Sequence, residues 1–129
     1  MLDLDYVITI HDEILAQYGG LPGFAAGGRG GVEAAIQRVE NHVFYAGIND
    51  VFGIAAAYAV AIARGHVFND GNKRTGLACA LTYLEMEGIA VLANPELEEV
   101  MVEVASGAID QGELAQYLGA IWVETQTRK

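Results

Sequence analysis

Residues 51–87 read VFGIAAAYAVAIARGHVFNDGNKRTGLACALTYLEME, and this stretch decides the fold. Its first part, Val51 to Gly65, is almost wholly apolar, with alanine at positions 55, 56, 57, 59, 61 and 63. Alanine is the strongest helix former, and a helix apolar on most sides is a buried one, so this segment reads as a central helix. After Asn72 the pattern returns, with Leu77, Ala78, Leu81 and Leu84 on one face and Gly88 closing the run. That makes a second core helix. Between the two lies RGHVFNDGNKRTG, residues 64–76, where an imidazole, a carboxylate, two amides, a turn glycine and three cations are gathered. Polar groups at a core connection need partners, so such a cluster is costly unless it has a task.

Working outward, Tyr6 to Tyr18 carries apolar residues at Val7, Ile10, Ile14 and Leu15 and ends at Gly19, which predicts helix one. Val32 to about Phe44 repeats the pattern through Ala35, Ile36, Val39 and Val43. Between these helices, seven of the sixteen glycines fall in GGLPGFAAGGRGG, residues 19–31. This reads as a connection. Gly23 and Gly28 have the spacing of a P-loop, but Arg29-Gly30 follows where Lys-Ser/Thr is required. Towards the C-terminus, Asn94-Pro95 supplies a cap and a first-position proline for a helix closed by Gly107. Asp110 with Glu113 forms a capping box that opens the last helix towards Trp122. The expectation is an all-α, bundle-like fold of six helices in one domain, 1–129, with extended character only at Ile89 to Leu92 and in the bend Phe44–Asp50.

Composition bounds the function. Seven Lys and Arg against seventeen Asp and Glu give a net charge of −10, which repels a nucleic-acid backbone. No direct nucleic-acid partner is expected. With 53% hydrophobic residues the chain can bury a core without staples, and its single cysteine, Cys79, excludes an internal disulfide and suits a reducing cytoplasm. The N-terminus is acidic where a signal peptide would be basic, and Val51 to Ala63 falls short of the roughly 20 apolar residues of a membrane span. No membrane association is expected. The charge is also unevenly spread. Three of the seven cations (Arg64, Lys73, Arg74) lie within 64–74, whereas Thr75 to Thr127 holds nine acids and no Lys or Arg. That acidic strip is either solvated surface or a face for a basic partner.

The order of residues within 64–76 suits a nucleotide triphosphate. Gly71 permits a turn, and the N–H groups that open the next helix form a nest for phosphate oxygens beside Lys73 and Arg74. Asp70 can hold the Mg2+ that accompanies such phosphates, since Mg2+ takes hard oxygen ligands and few from the protein. His66 can take the proton from an incoming hydroxyl, because an imidazole titrates near neutrality. Phe68 reads as the loop's apolar anchor. Arg64 either reaches a phosphate or caps the end of the central helix. His11 and His42 read as ordinary surface or core residues, Cys79 as a small buried hydrophobe, and Trp122 as core or partner contact.

HVFNDGNKR, residues 66–74, resembles the signature of the Fic/Doc family, H-x-F-x-[DN]-[AG]-N-[KG]-R, and with GGLPG and the alanine-rich helix the resemblance covers nearly the whole chain. It is nearest to the Doc, or death-on-curing, branch. The resemblance implies the six-helix Fic/Doc fold, His66 as the base that activates a target hydroxyl, Asp70 as the Mg2+ ligand, and Asn72, Lys73 and Arg74 on the triphosphate. Asn69 and Gly71 would line the same site. Fic-type enzymes that transfer AMP have a glycine after the motif asparagine and a second arginine three residues beyond the motif arginine. Here these places hold Lys73 and Leu77. Lysine fills the space where phosphates would approach the backbone, and the missing arginine removes a bidentate partner, so both departures speak against adenylylation.

Doc-type proteins share that lysine. The resemblance therefore implies the toxin of a type II toxin–antitoxin module, an ATP-dependent protein kinase that phosphorylates a threonine of elongation factor Tu and blocks translation. The alternatives are a Fic-type adenylyltransferase and a catalytically silent nucleotide- or partner-binding module. A flap at about Phe44–Asp50 would hold the target by strand-like pairing. No self-inhibiting S/T-x-x-x-E-G/N segment is evident, so restraint would come from a separate Phd-like antitoxin that folds on binding, with the acidic strip a candidate face for it.

Overall fold

The computed structural model describes residues 1–127. It has six helices: α1 (Leu4–Tyr18), α2 (Gly28–Ala46), α3 (Val51–Gly65), α4 (Asn72–Met86), α5 (Pro95–Ser106) and α6 (Gln111–Thr127). No strand forms among the described residues, so the all-α expectation holds. Among these residues one β-bridge forms, pairing Phe24 with Phe68.

Helices α3 and α4 form the centre. On α3 the whole run from Ile54 to Ala59 is buried, together with Ile62 and Ala63, and α4 answers with Thr75, Gly76, Leu77, Cys79, Ala80, Tyr83 and Leu84. The small residues let the two helices approach to backbone contact. A Cβ on Gly76 would stand 2.8 Å from the Ala59 carbonyl oxygen, so glycine is required there by the crossing itself. The other helices close round this pair. α1 contributes Val7 and Ile10, α2 Val32, Ala35, Ile36 and Val39, α5 Leu97, Val100, Met101 and Val104, and α6 Leu114 and Leu118. Phe52 of α3 meets Trp122 of α6 with ring centres 6.0 Å apart, which makes Trp122 a packing residue. Cys79 is fully buried, and burial pushes its thiol up to about 12, as befits an inert core residue.

Helix starts follow their caps. Asp3 accepts the Tyr6 N–H at 2.8 Å and so begins α1 at Leu4, two residues before the apolar pattern does. Asp50 caps α3 through the Phe52 and Gly53 N–H groups, Asn94 caps α5 through Leu97 N–H, and Asp110 and Glu113 cap each other's backbone reciprocally. Helix α2 begins at Gly28, four residues before the predicted Val32, and continues to Ala46, where Gly47 in the left-handed region ends it. The extended character expected from Phe44 to Asp50 is thus corrected in its first part: Phe44 to Ala46 is the last turn of α2, and only 47–50 is a short connection. Ile89 to Leu92 likewise forms no strand. None of the described helices is long and apolar enough to cross a membrane.

Candidate active site

His66 ends α3 in the left-handed conformation, φ 47° and ψ 47°, and no other non-glycine residue among those described has a positive φ. A side chain there is strained by about 1–2 kcal/mol, so the surroundings must enforce it. The following residues do so. Val67 and Phe68 are buried, and Asn72 clamps the loop from the start of α4, its Oδ1 accepting the Phe68 N–H at 3.1 Å and its Nδ2 donating to the Phe68 carbonyl at 2.9 Å. The result turns the His66 imidazole outward, onto the wall of a cleft of about 810 Å3.

The glycine-rich connection does more than join α1 to α2. Ala25 N–H donates to the Val67 carbonyl at 3.0 Å, Asn69 N–H to the Gly23 carbonyl at 3.1 Å, and the Asn69 amide to the Pro22 carbonyl at 3.0 Å. Leu21 N–H reaches the Asp70 carboxylate at 3.1 Å. Gly20, at φ +125°, lets the backbone come this close, for a Cβ there would sit 3.1 Å from Asp70 Oδ2. The connection is therefore laid along the 66–72 loop as a second layer. Helix α1 packs against the same loop. His11, 1% exposed, donates from Nε2 to the Asp70 carbonyl at 2.9 Å and stacks on Phe68, with ring centres 3.7 Å apart and planes within 6°.

Electrostatically the site is an exposed carboxylate beside an open helix end. The Asp70 carboxyl is held below the usual carboxylate range by the Leu21 N–H and then by the Gly71 N–H; desolvation opposes this, and Lys73 and Arg74 add to it. Asp70 thus stands ionised. Gly71, φ +77°, puts no side-chain cap on α4, and the first helical bond runs from Thr75 N–H to the Gly71 carbonyl at 2.9 Å. The N–H groups of Asn72, Lys73 and Arg74 precede that bond and make the anion-accepting end. Arg74 is steadied by Tyr18, its guanidinium carbon 4.4 Å from the ring centre. His66, Asn69, Asp70, Gly71, Asn72, Lys73 and Arg74 all line the cleft, with α1 and the start of α5 as its other walls.

Two of the expected residues have other duties. Arg64 does not line this cleft: its Nε donates to the Val104 carbonyl at 2.7 Å and an Nη to the Ile109 carbonyl at 2.5 Å. It caps the C-terminal end of α5 rather than that of its own helix, and both carbonyls are thereby satisfied. Asn72 uses its side chain to hold the loop, each end of the amide bonding Phe68, while its backbone N–H belongs to the open end of α4. Leu77, at the place of the second arginine, is 6% exposed and packed in the core. Among the described residues no group of three potential metal ligands comes together. Asp70 nonetheless fits Mg2+ held chiefly by water and phosphate, since each of its oxygens keeps a lone pair beyond the N–H it accepts.

An imidazole at a helix terminus, a carboxylate four residues on and an uncapped cationic helix end, held between two buried helices, define an all-α protein built round a polar loop whose chemistry suits an anion. Comparison carries this further. The Fic/DOC family profile matches residues 1–84, and the chain belongs to the Fic/Doc family. It is 44% identical over 116 residues, 90% of each chain, to a protein named Protein kinase doc from Escherichia phage P1. It is also 37% identical over 76 residues, 57% of this chain and 58% of the other, to Toxin Doc from Mycolicibacterium smegmatis.

Proposed function

We propose that this chain, as one Fic/Doc-type domain, is a Doc-type toxin of a type II toxin–antitoxin module. It is a cytoplasmic protein kinase that moves the γ-phosphate of ATP to a threonine of elongation factor Tu, and a Phd-like antitoxin restrains it. The observation that carries this reading is Lys73 at the open end of α4, in one cleft with His66 and Asp70, where an AMP-transferring site would need a small residue. The name of the phage P1 relative supports it.

In this reading the N–H groups of Asn72 to Arg74, with the Lys73 and Arg74 side chains, hold the phosphates. Asp70 would hold Mg2+, which when bound neutralises phosphate charge. His66 accepts the proton of the threonine hydroxyl as its oxygen bonds to the γ-phosphorus and the bond to the β,γ-bridging oxygen breaks, with ADP leaving. Such a transfer asks chiefly for positioning and charge neutralisation, which this cleft offers.

Purified elongation factor Tu, offered with ATP labelled at either the α- or the γ-phosphate, tests it. Transfer of the γ-label alone is expected, and transfer of the α-label alone refutes the kinase and selects an adenylyltransferase. His66→Ala should lower the rate by about 10²–10⁴ and abolish growth inhibition. Undiminished inhibition by that variant would mean a catalytically silent module.

A further inference from the structure

His11 lies 59 residues before Asp70 in a helix that otherwise turns apolar side chains inward. A fully buried imidazole there must find partners: Nδ1 lies 3.3 Å from the Asp12 carboxylate, and the partner of Nε2 is the informative one. The ladder of α4 begins at the Gly71 carbonyl, so the Asp70 carbonyl lies just outside it and takes no helical bond. His11 fills that position. Since a carbonyl only accepts, Nε2 carries the hydrogen. The same ring stacks on Phe68 and lies against the Gly71 turn, where a Cβ would meet His11 Cδ2 and Nε2 at 3.7 Å. At the other end of Asp70, the carboxylate is taken by the Leu21 and Gly71 N–H groups. Asp70 is thus gripped by its backbone from beneath and by its side chain from above.

We infer that His11 is a positioning residue: its bond to the Asp70 carbonyl sets the turn from which both the Asp70 carboxylate and the open N–H groups of α4 face the phosphates. The inference rests on the reading of this cleft as a nucleotide site. It acts through Asp70 and the backbone, for His11 does not line the cleft.

The test separates the bond from the packing. His11→Phe keeps a ring against Phe68 and removes the donor, whereas His11→Gln keeps a donor and removes the ring. MgATP affinity is measured by calorimetry on the full chain, beside the thermal midpoint. His11→Phe should stay folded and bind MgATP about tenfold more weakly, the scale of losing a partner one shell out from a ligand. His11→Gln should recover most of that loss. A folded His11→Phe that binds MgATP within about twofold of the parent overturns the inference, since one lost hydrogen bond would then cost nothing. If His11→Phe does not fold, His11→Gln must bind clearly better than His11→Ala, and equal binding by the two overturns it. A parent chain that binds MgATP but transfers no γ-phosphate refutes the kinase and leaves the comparison intact. A parent that binds none refutes both.

Discussion

Two helix N-termini line the cleft, and they are built in opposite ways. That of α5 is finished: Asn94 accepts the Leu97 N–H at 2.9 Å, Pro95 needs no N–H partner, and Glu96 and Glu98 complement the helix dipole. Tyr117 donates its hydroxyl to Glu96, and that bond, with desolvation and the neighbouring carboxylates, pushes the phenol up to about 12. The N-terminus of α4 is left open. Gly71 brings no cap, its first turn has no acid, and Lys73 and Arg74 stand where cations oppose the dipole. One end spends its polar groups on its own stability. The other leaves them open, as the proposed phosphate site requires.

Substitutions can break that contrast or sharpen it. The largest effect is expected from Lys73→Glu, which gives α4 the acid that α5 already has. It should raise the thermal midpoint slightly, a first-turn acid contributing about 0.3–1 kcal/mol, while weakening MgATP binding by more than about tenfold. A variant that gains stability and keeps its affinity would show that this end is no anion site. Asn94→Ala is the converse. It should cost about 1 kcal/mol in chemical denaturation and leave MgATP affinity unchanged in calorimetry.

Tyr18→Leu probes how Arg74 is held. An exposed cation–π contact contributes about 0.5–1 kcal/mol, so nucleotide affinity should fall about two- to fivefold, and Tyr18→Phe should match the parent. The smallest effect lies in acid. A carboxyl depressed in the folded state adds stability above its unfolded value of 3.8, and that stability is lost as the pH falls through the lower folded value. Asp70→Asn cannot accept from both N–H groups at once, so it should melt below the parent at neutral pH, and thermal melts should converge as the pH drops under the carboxylate range. A gap that persists there would mean that Asp70 acts by shape and not by charge.

Much of this was legible in the chain because it is written locally. The alanine run of α3, the leucines of α4, Asn94-Pro95 and the pair Asp110 and Glu113 each announce an element within a few residues, and the 66–74 motif brings its own cluster. Boundaries slipped where one cap outweighed periodicity, as at Asp3, or where glycines entered a helix against their propensity, as at 28–31. His11 and Tyr18 were not legible as parts of the site. Their partners, Asp70 and Arg74, are more than fifty residues away, and nothing beside them in the sequence marks either as other than a helix residue. Arg64 was ambiguous for the same reason: its acceptors lie 40 and 45 residues downstream.

Those distances along the chain are also intervals in time. Arg64 stands two residues before His66, and its guanidinium ties the end of α3 to carbonyls at Val104 and Ile109. A nascent chain that has only reached Leu84, the length over which the family profile matches, carries every motif residue but lacks that fastening. On the ribosome the motif is made first, and the tie beside it can close only once Ile109 has been added.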